Sequence, residues 1–488
     1  MSIISRVVNL PTFQRQTLIT FFSTAGLTFA GFFSTIFFAH FLGAEILGVY
    51  YIFFAYFSLF DMLSDAGLGL SAVKKISEGK DREEYYTAYV AFRCVSLVLI
   101  ICVVYLALPF FGLTKSLEIV PFLVIALVAG MGYSITSNGT YGSGMIAKQQ
   151  SISLLNNLLK IGIQVSLVIV GFGFAGLAGG VILGLGAAGV LNWHFLKLKL
   201  TRFSLEHGKD LLKYSFWIFL MSGGLLLFSN ADTIILAYFL STSDVGIYKT
   251  TFQLTTIATF FTLTMYTVLY PKISNWYANG LYETIENNLT QAFTYSFILA
   301  IPTCIGGWIL GDRILYYVYG ESFEKGTFSL WILLVFQIAN TFLYLQTMSL
   351  NAINKPKASC AAMGIAIVIN ILLDIVLIPF FGIVGAALAG TIAVCINAII
   401  TYRILSSHIR LKLNFPSIKN ILVASGAMGI ILLALRMILP ISHVLILLGF
   451  LIAGTILYFA VLLKLDLKIR ADLEDILSRI GLRNPLSD

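Results

Sequence analysis

Two stretches about two hundred residues apart carry one phrase, and each joins two long apolar runs. Residues 39–50 read AHFLGAEILGVY and residues 237–248 read AYFLSTSDVGIY, identical at Ala, Phe, Leu, Gly and Tyr. A chain duplicated around an apolar helix–turn–helix has few folds open to it. The simplest is two similar helical bundles, the plan of many secondary transporters, with a path between the halves. A second phrase agrees: FGFAG at 172–176 returns as FGIVG at 381–385. The glycines of these phrases are read as residues free to adopt positive φ, which lets a short loop reverse the chain.

A spanning helix takes roughly 20 apolar residues. Fourteen segments qualify, centred near residues 30, 60, 97, 128, 160, 186, 226, 258, 298, 338, 368, 394, 430 and 453. The chain is 58% hydrophobic and only 11% charged, with mean hydropathy +0.92, whereas soluble domains run near 25% charged. That excess of apolar surface must face lipid. The first segment is too long for a signal-peptide core and is read as retained. With the N-terminus inside, 24 Lys and Arg residues fall on inner segments and 4 on outer loops. Such a split is the positive-inside rule, so the net charge of +8 reports orientation and not a nucleic-acid partner.

These readings predict an all-α integral membrane protein of about fourteen transmembrane helices with both termini cytoplasmic. Residues 1–205 form one six-helix bundle and 206–407 a second, while 408–488 add two helices and a cytoplasmic tail with an amphipathic surface helix. Six helices per half start both halves on one side, which makes the repeat parallel, about an axis along the membrane normal. The sixth helix of the first half, GLAGGVILGLGAAG at 176–189, has small residues at four-residue spacing, which allows close helix approach.

No Walker A sequence, nucleophile elbow or His-Glu-x-x-His occurs. The five cysteines lie singly in apolar segments without metal or redox spacing, so no metal and no cofactor are expected. Any driving force would come from a gradient or from the substrate.

LGAEILGVY, DAGL (65–68), LLLFSNADTIILAYFLSTSDVGIY (225–248), YPKIS (270–274) and VINILLDIVLIPFFGIVGAALAG (368–390) together resemble the polysaccharide-transporter family. These are the oligosaccharide flippases of the multidrug/oligosaccharidyl-lipid/polysaccharide exporter superfamily. The resemblance covers nearly the whole chain. It implies two six-helix bundles related by a pseudo-two-fold about a V-shaped central cavity, with two extra C-terminal helices. It further implies alternating access, by which a polyprenyl-diphosphate-linked oligosaccharide made at the cytoplasmic face of the cell membrane is turned outward. The partners are then that glycolipid and the membrane lipids, and the chain is expected to act as a monomer. A cation-coupled drug exporter or a flippase of the lipid-linked peptidoglycan precursor would share the architecture. A membrane glycosyltransferase or polymerase is disfavoured, since the longest outer loop, about 311–326, holds no recognisable catalytic constellation.

A charge near the bilayer centre costs several kcal/mol unless it is paired or hydrated. Asp61 and Lys160 lie near the middles of the second and fifth segments, as an ion pair or as two walls of a hydrated cavity. Asp65 and Arg93 share a depth on adjacent segments and make a second pair, and Asp232 and Lys249 flank the turn at 240–245. On the resemblance, Lys and Arg would attract diphosphate, and Asp would accept sugar hydroxyls or a coupling proton or sodium ion. Structural pairing that fixes helix register explains the same charges. Asn230 and Gln253 are further polar candidates for the path, and Asp374 is set aside as lying near a hydrated helix end.

Overall fold

The computed structural model describes residues 12–107 and 119–480. Among them lie sixteen α-helices and no strand, as hydrocarbon requires of a chain whose backbone groups must find their partners within each segment. They fall into two compact units, Met1–Lys249 and Thr250–Asp488.

The first unit opens with α1 (Thr12–Asp65). Its 54 residues would reach about 80 Å if straight, but Gly43, at φ 72° and ψ 177°, breaks it into two arms. There follow α2 (Leu68–Ser77), α3 (Arg82–Ala107), α4 (Ile119–Gly142), α5 (Ile146–Ile169), α6 (Gly173–Phe195) and α7 (Leu205–Phe239), and then α8 (Thr242–Thr255), which crosses the unit boundary. The second unit holds α9 (Phe260–Ala278), α10 (Tyr282–Ile314), α11 (Thr327–Ala352), α12 (Pro356–Phe381), α13 (Ile383–Ser406), α14 (Phe415–Ile438), α15 (Val444–Leu465) and α16 (Leu467–Ile480).

Twelve helices among the described residues are long and apolar enough to cross a membrane. Fourteen segments read from the sequence and twelve here differ at two places. Phe29–Asp65 is one stretch across the Gly43 break, and α7 is not among the twelve. The chain is a multi-pass, all-helical membrane protein.

The two copies of the repeated phrase touch. A methyl group on Gly48 would overlap the Thr242 carbonyl, and one on Gly246 would overlap the Ala44 carbonyl. Positions 44 and 48 are the repeat equivalents of 242 and 246, so the contact is reciprocal. This corrects the reading of the shared glycines as turn residues. Gly48 and Gly246 lie within α1 and α8, and neither has a positive φ. Their work is close backbone approach. Reversal falls instead to Gly43 in the first copy. At the equivalent place in the second, the Ser241 hydroxyl accepts from the Asp244 N–H at 3.2 Å while Asp244 Oδ2 accepts from the Ser241 N–H at 3.3 Å, a capping box.

Two more repeated contacts follow. Gly173 and Gly382 have φ of 53° and 58° and turn the chain between the fifth and sixth helices of each half. The sixth helix then packs back closely, Gly176 on Leu167 and Gly385 on Leu377. Gly176, Gly180 and Gly184 form a stripe on α6 that seats it against Leu167, Gln164 and Lys160 of α5. At the other end, the link after each half is clamped to that half's third helix. Glu83 and Thr87 accept from the Lys199 and Thr201 N–H groups at 3.3 and 2.9 Å. Glu286 accepts from the Arg410 N–H at 3.2 Å, and Thr290 donates to the Lys412 carbonyl at 2.9 Å.

In the second unit α14, α15 and α16 share one core with α10, through Met428, Leu432, Phe450, Leu462 and Ile469. Arg436 adds a two-pronged pair to Asp312, at 3.1 and 2.5 Å.

In lipid, helices associate by packing and hydrogen bonds more than by apolar burial, so the glycine crossing should be sensitive to one added methyl. Gly48→Ala and Gly246→Ala are each expected to destabilise the protein by about 1–3 kcal/mol, read as a lower Tm in detergent. Gly132→Ala on α4, where nothing lies within 4 Å, should leave Tm unchanged or raised. Equal Tm values for all three would remove the crossing as a structural constraint.

Candidate functional site

Asp61 and Asp65 are one turn apart on the second arm of α1, so both face α3. Between them lies Arg93, whose side chain is 1% exposed. Its Nη2 meets Asp61 Oδ1 at 2.5 Å, its Nη1 donates to the Asp61 carbonyl at 3.2 Å, and its Nε lies 3.6 Å from Asp65 Oδ1. The DAGL motif explains the second carboxylate. Ala66 and Gly67 take positive φ and break the helix, and Asp65 Oδ2 accepts from the Gly69 N–H in the first turn of α2 at 3.2 Å. Gly67 lies against the Ser215 carbonyl of α7, where a Cβ would not fit. Around this pair, Tyr89 and Ser134 share a hydrogen bond of 2.9 Å, Asn138 donates to Tyr89 at 3.0 Å, and Ser96 donates to the Ser64 carbonyl at 2.6 Å. The cluster therefore ties α1, α3 and α4 together.

Two carboxylates share one guanidinium, which leaves one negative charge if both are ionised. The Asp61 side chain is 33% exposed, so it can accept a sugar hydroxyl or a cation. Asp65 Oδ1 has no hydrogen-bond donor among the described residues.

Lys160 sits differently. It is half-buried in the middle of α5, and its Nζ lies 3.5 Å from Asn157 Oδ1. No ion pair to it occurs among the described residues, all of Asp61's pairing going to Arg93. Of the two readings of Asp61 and Lys160, the ion pair does not form: Arg93, on the helix beside α1, takes Asp61. One turn along α5, Gln164 is buried and donates to Tyr50 at 3.1 Å and to the Leu177 carbonyl at 2.8 Å. Sequence reasoning passed over Gln164, though a glutamine one turn from a mid-span lysine was a visible signal.

The third expected pair forms. Lys249 Nζ lies 3.4 Å from Asp232 Oδ1 and donates to the Ser229 carbonyl at 3.1 Å. Asn230 turns back on its own helix, donating to Leu226 at 3.1 Å, and so stays apart from that pair. Gln253 is half-buried on α8, in the second unit. Asp374, set aside as interfacial, is fully buried on α12. Its position near a helix end hid the packing of that end against its neighbours. Among the described residues no group of three His, Cys, Asp or Glu could hold a metal ion.

Over residues 37–327 the chain matches the family described as polysaccharide biosynthesis protein. It is 26% identical over 441 residues to a protein of Haloferax volcanii named probable low-salt glycan biosynthesis flippase Agl15, covering 90% of this chain and 92% of that one. It is 25% identical over 354 residues to the probable flippase AglR of the same organism, with 72% and 74% coverage. Among solved structures it is similar to the lipid II flippase MurJ in an inward closed conformation, with TM-score 0.78, 17% identity, and 91% and 98% coverage. An inward-facing multidrug transporter of the MATE family follows at TM-score 0.61, 18% identity, and 78% and 94% coverage. At these identities the structural likeness speaks for fold.

Removing one partner of a buried pair strands the other charge, at a cost of about 3–5 kcal/mol. Arg93→Ala is therefore expected to lower Tm and abundance sharply. Replacing the whole cluster, Arg93→Met with Asp61→Asn and Asp65→Asn, should recover much of that loss. A triple variant no more stable than Arg93→Ala would contradict the pairing.

Proposed function

The chain belongs to the polysaccharide biosynthesis protein family, and we propose that it is a flippase carrying a lipid-linked oligosaccharide from the cytoplasmic to the outer leaflet of the cell membrane. The observation that carries this reading is Lys160, a mid-span cation with no carboxylate partner among the described residues. An ammonium at that depth costs about 3 kcal/mol on insertion scales. It is sensibly retained where an anion comes to meet it, and the diphosphate of a polyprenyl-linked glycan is such an anion.

The barrier such a protein removes is large. A hydroxyl moved from water into alkane loses about 4–8 kcal/mol, so a head of several sugars faces tens of kcal/mol. A polar cleft that opens to each side in turn removes that cost while the lipid tail stays in the bilayer. Asp61 and Asp65, held by Arg93 with their side chains partly exposed, accept sugar hydroxyls, or a proton or sodium ion that couples transport to a gradient. No covalent chemistry is involved. The names of the Haloferax volcanii relatives, both called probable flippases and one of glycan biosynthesis, support the substrate class. Both termini lie in the cytoplasm in this account, and a single chain suffices.

Purified protein reconstituted in vesicles should accelerate the appearance of a labelled polyprenyl-diphosphate oligosaccharide in the far leaflet at least tenfold over empty vesicles. No acceleration with any envelope glycolipid of the host, together with efflux of a cationic drug, would replace this reading with that of an exporter.

A further inference from the structure

A polar hollow of about 260 Å³ lies in the second unit between α10, the start of α14 and the surface helix α16. Two pairs of side chains, each one helical turn apart, line it. On α10 these are Asn287 and Gln291, both exposed. On α16 they are Lys468 and Asp472. An ammonium and a carboxylate four residues apart on a helix commonly pair, yet these two do not, and neither finds another ion partner among the described residues. Asp472 instead accepts the Tyr295 hydroxyl at 2.6 Å. Three hydrogen-bonding groups and a cation are thus presented to one space.

The duplication supplies an internal control. Glu83 and Thr87 of the first half make the clamp that Glu286 and Thr290 make in the second, an offset of 203. At that offset Gln291 and Tyr295 correspond to Ala88 and Phe92. Ala88 is fully buried, and Phe92 packs under Gly208 and against Phe203. Asn287 corresponds to Glu84, so the first half keeps one polar residue there while the other two positions are apolar and packed. In the second half all three positions are polar, and α16, which lies outside the repeat, lines the hollow with them.

The start of α16 is tied to α14. Asp466 caps α16 through the Ile469 N–H at 3.0 Å and accepts from Asn420 of α14 at 3.2 Å. Burial pushes the Asp466 carboxyl up, but these donors and the Ser417 hydroxyl more than offset it, and it stays below the usual carboxylate range.

We propose that this hollow binds a phosphorylated polyol, with the phosphate on Lys468 and the hydroxyls on Asp472, Asn287 and Gln291. The volume falls just below that of ordinary ligand pockets and suits one sugar-sized unit, not an oligosaccharide. The source is either a soluble glycerol or sugar phosphate, or the glycerol phosphate headgroup of a membrane lipid. The proposal is independent of the cargo, since α16 lies outside both repeats.

Two probes distinguish the sources in full-length protein. Glycerol 3-phosphate is titrated into detergent-purified protein by calorimetry, and hydrogen exchange of α16 is compared in nanodiscs of phosphatidylglycerol and phosphatidylcholine. Saturable calorimetric binding, weakened at least tenfold by Lys468→Gln and by Gln291→Leu but unchanged by Lys464→Gln, supports a soluble ligand. Slower exchange in phosphatidylglycerol alone, cancelled by Lys468→Gln and kept by Lys464→Gln, supports a lipid headgroup. Tm of each variant is measured alongside, and Lys468→Gln, on an exposed residue, keeps the test valid if Gln291→Leu misfolds. No response to either probe, or equal responses from Lys468→Gln and Lys464→Gln, overturns the proposal.

Discussion

Hydrocarbon offers no hydrogen-bond partner, and the rest of this structure follows from how the chain meets that constraint. Its backbone closes on itself in helices. With no water to expel between spans, adhesion has to come from close approach and from polar groups that satisfy one another. Glycine supplies the first, at the Gly48–Gly246 crossing and along Gly176, Gly180 and Gly184. Arg93 supplies the second, fully buried and shared by two carboxylates. Charge that is consumed in this way holds helices together.

The duplication separates what serves the fold from what does not. Contacts present in both halves, such as the reciprocal glycines and the clamps on the third helices, are scaffold. The Arg93 cluster is not repeated: at the offset of that helix its equivalent is Ser296, buried and neutral. A single half thus carries the buried guanidinium. The polar hollow beneath α16 is likewise confined to one half. Divergence between equivalent positions marks where the halves took different tasks.

Helix existence and the doubling of the chain were legible because both are written along the sequence, in apolar runs and in phrases such as AHFLGAEILGVY. The pairings Asp65–Arg93 and Asp232–Lys249 were legible too, because shared depth on neighbouring helices nearly fixes them. For Asp61 and Lys160 depth alone left two readings open, an ion pair or two separate walls. It gives height in the membrane but not the angle about the helix axis, and Arg93 had the nearer angle. The roles of Gly48 and Gly246 were hidden for a related reason. A glycine near a turn serves either reversal or close packing, and only the neighbour, here a carbonyl of the other repeat, decides. Asp374 shows the converse, a helix end that looked hydrated and is buried.

In the proposed function Lys160 is left for the cargo while Arg93 is spent on the fold. Flipping of a polyprenyl-diphosphate oligosaccharide by Lys160→Ala in vesicles, measured beside its Tm, tests this most directly. The account predicts a loss of at least tenfold in rate at unchanged Tm, for long and short saccharides alike. Wild-type flipping by Lys160→Ala, or a fall in Tm large enough to explain its loss, would contradict it.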